Sequence, residues 1–414
     1  MKKMLLPIFT IFLMSTLAPA QEFDLQAFLN TAFEDPMVVN VYDQRDFLQS
    51  SDLRTPNINE VEIRTRSEGL NTSLDDVRFR LTLTNFGEIR EGGRYNDLLI
   101  ESYALEYNVR IHLALVYRYQ LVLDYLKIIS EIEIIEQQKL NTEDQISVEK
   151  ANILNGNGSV SDLANMESDY TNLMIRESNL KNQLTIQVGN ILSYYTFDGP
   201  VSIPAESVIN PVFIGEIIND MQLAILNPTL VLKEQEIQLG LQETQLEIKE
   251  SNGDFGYFQA EYERNRGQSY RENLGYQLGF NIPITNPDKA KIQQQKLKNL
   301  KEQQSLDYML AKHENEMDIL EKELLELISQ YQFLEEQYLE MVSRNTSLRG
   351  KYLKIESALK MQENELRLKK ALANLNQEIM DSYLEWLDKS GTISQDPLKN
   401  YLLSNTPTLS EQGN

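Results

Sequence analysis

Histidine has the widest chemical reach of any residue type in this chain, since a neutral imidazole ligates metals and titrates near neutral pH. The 414 residues hold only two, His112 and His313, and no cysteine. Each closes a similar octet: "LEYNVRIH" ends at His112 and "LDYMLAKH" at His313, 201 residues later. Two kinds of chemistry are open to them, a pH switch or a metal ligand. No second His, Cys or nearby acidic pair stands at ligand spacing, so a metal lacks support. Both lie on an apolar seam and read as packing positions. The sequence also has no His–acid pair close together, no glycine-rich phosphate loop and no metal spacing. These readings argue against an enzyme and lead us to expect no cofactor, catalytic residue or metal.

The elements that carry these octets are duplicated. At the same offset of 201, "LTLTN" (81–85) matches "IPITN" (282–286), and "EVE" (60–62) matches "EYE" (261–263). Roughly fifty residues in one register make an internal repeat. Each copy opens with period-two alternation, the mark of a strand with one apolar and one polar face. Val61 and Ile63 alternate with Glu62, Arg64 and Arg66; Val77, Phe79 and Leu81 alternate with Arg78 and Arg80. In the second copy, Phe258, Ala260 and Tyr262 alternate with Glu261 and Glu263, and a partner run follows from Leu274 to Ile282. That predicts two hairpins and four strands.

A heptad-spaced helix follows each hairpin. Its seam runs Leu105, Val109, His112, Val116, Tyr119, Leu123, Leu126 in the first copy, and from Leu306 through His313, Leu324 and Tyr331 to Met341 in the second. The first long helix should span about 68 residues, or about 100 Å. "NGNGSVSD" (155–162) breaks it, and a shorter return helix runs to about Tyr195. A further helix opening at Asn227-Pro228 would stack end to end with the return helix. In the second copy the turn is expected near 362–365. The helix after Asp35-Pro36 would be the stacking partner of its return helix.

The ends and the bulk charge restrict where such a chain can work. "MKKMLLPIFTIFLMSTLAPA" has a charged start, an apolar run and an A-x-A site, and reads as a signal peptide over residues 1–20. Beyond it no run of 18 apolar residues occurs, so a membrane can be entered only as a β-barrel. The net charge of −23 becomes more negative once Lys2 and Lys3 leave, which argues against nucleic acid as a partner. Four strands are too few for a membrane barrel, so several chains would have to pool them. The apolar strand faces would then meet lipid, and Arg64, Arg66, Arg78, Arg80, Glu261 and Glu263 would line a wet lumen. Tyr257, Tyr262, Tyr270 and Tyr276 could form part of an aromatic girdle or be ordinary strand residues.

The layout resembles the TolC family of outer-membrane efflux proteins. The likeness rests on the duplication, on Asn227-Pro228, on "GFNIPIT" leading strand into helix, and on Gly156, Ser159, Asp162 and Leu163 at the first turn. It covers nearly the whole mature chain. The resemblance implies a mostly α, α+β membrane protein in which each repeat is a strand hairpin plus a long helical hairpin. Three copies would form a twelve-stranded outer-membrane barrel continued by a periplasmic α-helical barrel. The implied role is a homotrimeric exit duct of a tripartite efflux or type I secretion system, joined to a periplasmic adaptor and an inner-membrane pump. The implied docking tips hold Gly156, Gly158, Ser159 and Asp162 in the first repeat, and Gln362 and Asn364 in the second. Where the family has acidic residues after the second turn, alignment on Ala371 places Arg367 and Lys370, a basic constriction or solvated residues on the outside. The first repeat is set at 21–196 (strands about 57–66 and 75–84, helical hairpin about 87–195) and the linker at 197–212. The second is set at 213–393 (strands about 255–264 and 274–284, helical hairpin about 287–390), with a flexible tail at 394–414. A periplasmic adaptor or a soluble coiled-coil scaffold is the competing reading.

Overall fold

The computed structural model describes residues 23–51, 53–66, 76–197, 199–203, 208–220, 227–251, 256–263, 274–280, 288–349, 354–395 and 398–403. The leader at 1–20 and the last eleven positions lie outside the described residues. In chain order the elements are α1 (Leu25–Asn30), α2 (Pro36–Ser50), β1 (Ile58–Arg66), β2 (Asp76–Leu83), α3 (Phe86–Leu154) and α4 (Val160–Leu192). Then come α5 (Pro211–Asp220), α6 (Pro228–Glu250), β3 (Gly256–Glu263), β4 (Leu274–Gly279), α7 (Lys289–Arg349) and α8 (Ile355–Ser390). A strand pair, a long helix and a return helix therefore occur twice.

Short polar side chains set the helix starts. Asp24, Asp35, Asn85, Ser159 and Asn227 each accept a backbone N–H at the head of α1, α2, α3, α4 and α6. Each such cap contributes about 1 kcal/mol. Pro36 and Pro228 fill first-turn positions, where no N–H is needed. Along α3 and α7 every residue of the heptad seams is buried or half-buried. Packing of one helical face, rather than helix propensity, thus holds these two long elements straight.

No single helix covers α3. Its start lies against α6, where the Gln235 amide donates to Leu98 O at 3.3 Å and the Gln242 amide to Glu91 Oε2 at 3.0 Å. Further along it is covered by α4, through Gln187 to Leu121 O at 2.8 Å and the Arg176–Glu131 and Lys150–Glu167 ion pairs at 3.0 and 2.9 Å. The other side of α6 meets α7: Asn299 donates to Gly240 O at 3.0 Å and to Thr244 Oγ1 at 2.9 Å. One short helix therefore joins the two repeats. Both α2 and α8 pack along α3. Asp35 caps α2 through Oδ1 and pairs with buried Arg118 of α3 through Oδ2 at 3.0 Å, and Tyr42 meets Tyr107 at 6.0 Å. An ion pair and an aromatic contact hold α2 on α3.

Midway along the bundle lies the main core. Leu115, Tyr119 and Val122 of α3, Phe28 and Leu29 of α1, and Tyr383, Trp386 and Leu387 of α8 are all fully buried in it. Residues 398–403 enter the same core, contrary to the loose tail expected from 394, while 404–414 lie outside the described residues. Tyr401 and Leu402 are 3% and 1% exposed. The Tyr119 hydroxyl donates to Lys399 O and accepts from Tyr401 N, and Ile209 N donates to Leu402 O at 2.8 Å. The apolar "YLL" at 401–403 supplies the burial that its polar, proline-rich surroundings conceal.

Candidate functional site

The four strands form one antiparallel sheet in the order β1-β2-β3-β4, and β2–β3 pairing joins the two repeats. The register sorts side chains cleanly. Val61, Ile63, Phe79, Leu81, Phe258 and Leu278 share one face, and every charge of the four strands lies on the other. All six residues assigned to a lumen, Arg64, Arg66, Arg78, Arg80, Glu261 and Glu263, stand together on that polar face. There Arg78 donates to Glu261 Oε1 at 2.6 Å, Arg64 pairs with Glu62, and the Arg80 guanidinium lies 3.6 Å from the Tyr257 ring centre. Tyr257 is thus on the polar face and supports an arginine instead of joining a girdle. Tyr262 and Tyr276 are on the apolar face, and Tyr270 falls outside the described residues. Among the described residues nothing covers the apolar face: Ile63, Tyr276 and Leu278 are 67%, 71% and 71% exposed.

At the far end of the bundle are the helical turns. After α3, Gly156 takes φ 78°, a left-handed value that favours glycine. A Cβ on Gly158 would sit 2.6 Å from Ile153 N, so the chain needs glycine there for close passage. Ser159 receives a hydrogen bond on its side chain from Asp162 N at 3.3 Å and donates its own N–H to Glu149 at 2.6 Å. The four residues assigned to this tip are therefore brought together, flanked by exposed Leu154 and Val160.

The second turn is not where the sequence reading set it. Residues 362–365 are helical, since α7 ends at Arg349 and α8 begins at Ile355. No Gly or Pro lies between Lys351 and Ser390, and residues 350–353, which separate the two helices, lie outside the described residues. Asn152 donates to Glu356 Oε1 at 2.8 Å, which sets the start of α8 level with the first turn. Gln362 and Asn364 therefore stand about 10 to 14 Å up the helix from that start. Arg367 is exposed and pairs with Glu363 at 2.6 Å, while Lys370 lines a groove of about 770 Å³ between α3 and α8.

Sequence reasoning missed the partners of His112. This residue is 1% exposed; one ring nitrogen meets Asp388 Oδ1 at 2.7 Å and the other Ser394 Oγ at 3.0 Å. It is a polar clamp between α3, the end of α8 and the turn beyond, not a plain packing residue. Its partners lie 276 and 282 residues away, so no local spacing announces them. His313 is half-buried, and burial lowers its pKa from the ordinary value. Glu91 was also missed. Its carboxylate accepts from Gln242, Arg90 and Arg94, which holds its pKa down to about 2 where α3 meets α6. Among the described residues no His, Cys, Asp and Glu cluster fits a metal ion, and no helix is long and apolar enough to cross a membrane.

A two-faced sheet thus stands at one end of a long, duplicated helical bundle. The sequence matches no family model and no curated protein. The fold does have counterparts. The outer membrane protein VceC from Vibrio cholerae superposes with a TM-score of 0.63 at 10% identity, over 89% of this chain and 96% of that one. CusC, studied for transmembrane channel formation, gives 0.61 at 11% identity over 89% and 92%. The CmeC outer membrane channel of Campylobacter jejuni gives 0.58 at 10% identity over 89% and 85%. The TolC-family resemblance read from the order of motifs therefore holds at the level of the fold.

Proposed function

We propose that the chain is an exit duct of the outer membrane, extending through the periplasm, and that it works as a homotrimer with a periplasmic adaptor and an inner-membrane pump. The sheet carries this reading: one face is uncharged and uncovered, and the other holds every strand charge. A face of that kind is stable against lipid, with the charged face toward water. β1 and β4 are the two edges of the sheet among the described residues, and four strands cannot close on themselves. Copies joined edge to edge solve both problems, and three copies give twelve strands. The helices fit the same assembly, since α7 leaves Tyr308, Ile319, Phe333 and Leu339 more than half exposed. The duct moves solutes and performs no bond chemistry.

Within this reading the adaptor meets the tip built by Gly156, Gly158, Ser159 and Asp162. Gln362 and Asn364 would touch it only if its hairpins reach up the sides of α8. Arg367 and Lys370 are candidates for a basic constriction. An adaptor or soluble scaffold has no use for a sheet with one lipid-ready face, which disfavours the alternative.

Conductance of the detergent-extracted protein in planar bilayers tests the proposal. Discrete channel steps are expected, and Arg367→Glu with Lys370→Glu should move selectivity toward cations. A water-soluble protein that never conducts would overturn the duct; unchanged selectivity would remove only the two basic residues from the constriction.

A further inference from the structure

The inference rests on the duct reading and concerns what the charged sheet face does to a passing solute. Register arranges that face in rows across β1, β2 and β3: Glu60–Thr82–Tyr257, Glu62–Arg80–Gln259, Arg64–Arg78–Glu261 and Arg66–Asp76–Glu263. The third row differs from the rest. Two arginines stand directly opposite each other with a single acid, so it alone has surplus positive charge. Like charges placed opposite destabilise a sheet unless something holds them. Here Glu62 holds Arg64 and Glu261 holds Arg78, while Arg80 in the next row rests on the Tyr257 ring. The guanidinium groups are not saturated. The Arg64 side chain is 65% exposed and that of Arg78 34%, so their outer N–H groups face the solute, whereas the Nε atoms of Arg78 and Arg80 are shielded from it.

We propose that Arg64, Arg78 and Arg80 form an anion-holding belt inside the barrel, where a carboxylate or phosphate group of an exported solute is held and released. Guanidinium donors suit both groups because their forked N–H geometry matches two oxygens at once. Acidic rows on either side, with Glu60 toward the helices and Glu263 toward the hairpin ends, confine the anion to one height and keep its stay short. Transport requires binding weak enough to permit exit. In a closed assembly the belt repeats once per copy at the same level.

The test is block of bilayer current by inorganic pyrophosphate added on the hairpin side of the native assembly. Wild-type current is expected to fall with pyrophosphate, and Arg64→Gln should raise the half-blocking concentration about tenfold. Arg64→Lys, which keeps the charge, should raise it less. Arg80→Gln is the second variant, because it removes one guanidinium and leaves both Arg–Glu pairs intact; the same direction is expected. Equal block in wild type and both glutamine variants, or no block of a conducting wild-type channel, overturns the belt and leaves the duct standing. A wild-type assembly that conducts nothing overturns the duct, and the belt with it.

Discussion

The core around Trp386 and the four-stranded sheet use apolar residues in opposite ways. In the core, side chains from α1, α3, α8 and the chain end meet until Phe28, Leu115, Trp386 and Leu387 are fully buried, and the polar groups of Tyr119 and His112 have partners. The sheet is equally regular, yet Ile63, Tyr276 and Leu278 stay open and both edges lack neighbours among the described residues. The contrast separates what one chain completes from what it leaves to its surroundings. The core closes over its apolar side chains, although the Tyr383 hydroxyl and the Trp386 indole N–H are buried in it without a partner among the described residues. A sheet with an ordered but uncovered apolar face needs a cover on that face and partners at its edges, which the proposed duct supplies as lipid and strands of further copies.

Four predictions break or sharpen this contrast. The largest effect on membrane residence should come from Ile63→Arg. A charge on a lipid-facing strand costs about 2 to 4 kcal/mol near the bilayer midplane, and an assembly carries it once per copy. Flotation should show the variant lost from the membrane fraction, while circular dichroism shows its helices intact. Glu62→Gln, one residue away on the other face, should float normally. Next is Trp386→Ala, expected to cost about 3 to 5 kcal/mol through the cavity it leaves. Thermal unfolding should then fail first in the helical body, the reverse of the Ile63→Arg outcome. His112→Ala should cost about 2 kcal/mol, because Asp388 and Ser394 lose their shared partner; faster amide exchange at 388–395 would report it.

The smallest effect concerns Glu91 and follows from its pKa of about 2 against an ordinary 4.5. A carboxylate held low contributes stability that is complete above the unfolded value and is lost as pH falls through the folded one. The gap in Tm between wild type and Glu91→Gln should therefore be constant above about pH 4.5 and close toward pH 2. A gap that does not change over this range would detach Glu91 from the α3–α6 contact.

Much of this was legible in the sequence where the signal is local and periodic. The alternation in Val61–Arg66 and Val77–Thr82 marks the two sheet faces, and the steps from Leu306 to Met341 mark a seam that is buried or half-buried along its length. The first turn announces itself through two glycines and a capping serine. The second does not, because Lys354 caps α8 without a side-chain hydrogen bond and no glycine pair marks the turn. What escaped is long-range. The seat of the chain end beside Tyr119, the His112 partners and the docking of α2 on α3 depend on residues far apart in sequence, whose types look ordinary in place. Tyr257 is instructive in another way: its period puts it on the polar face, but an aromatic type drew it toward a lipid girdle.

The central claim, that the sheet is one part of a barrel pooled from several copies, is tested most directly by the mass of the native particle. Outer membranes would be extracted in detergent and the protein mass found by light scattering with the bound detergent subtracted. The account predicts a trimer in that fraction. A monomer recovered from the aqueous periplasmic extract would contradict it.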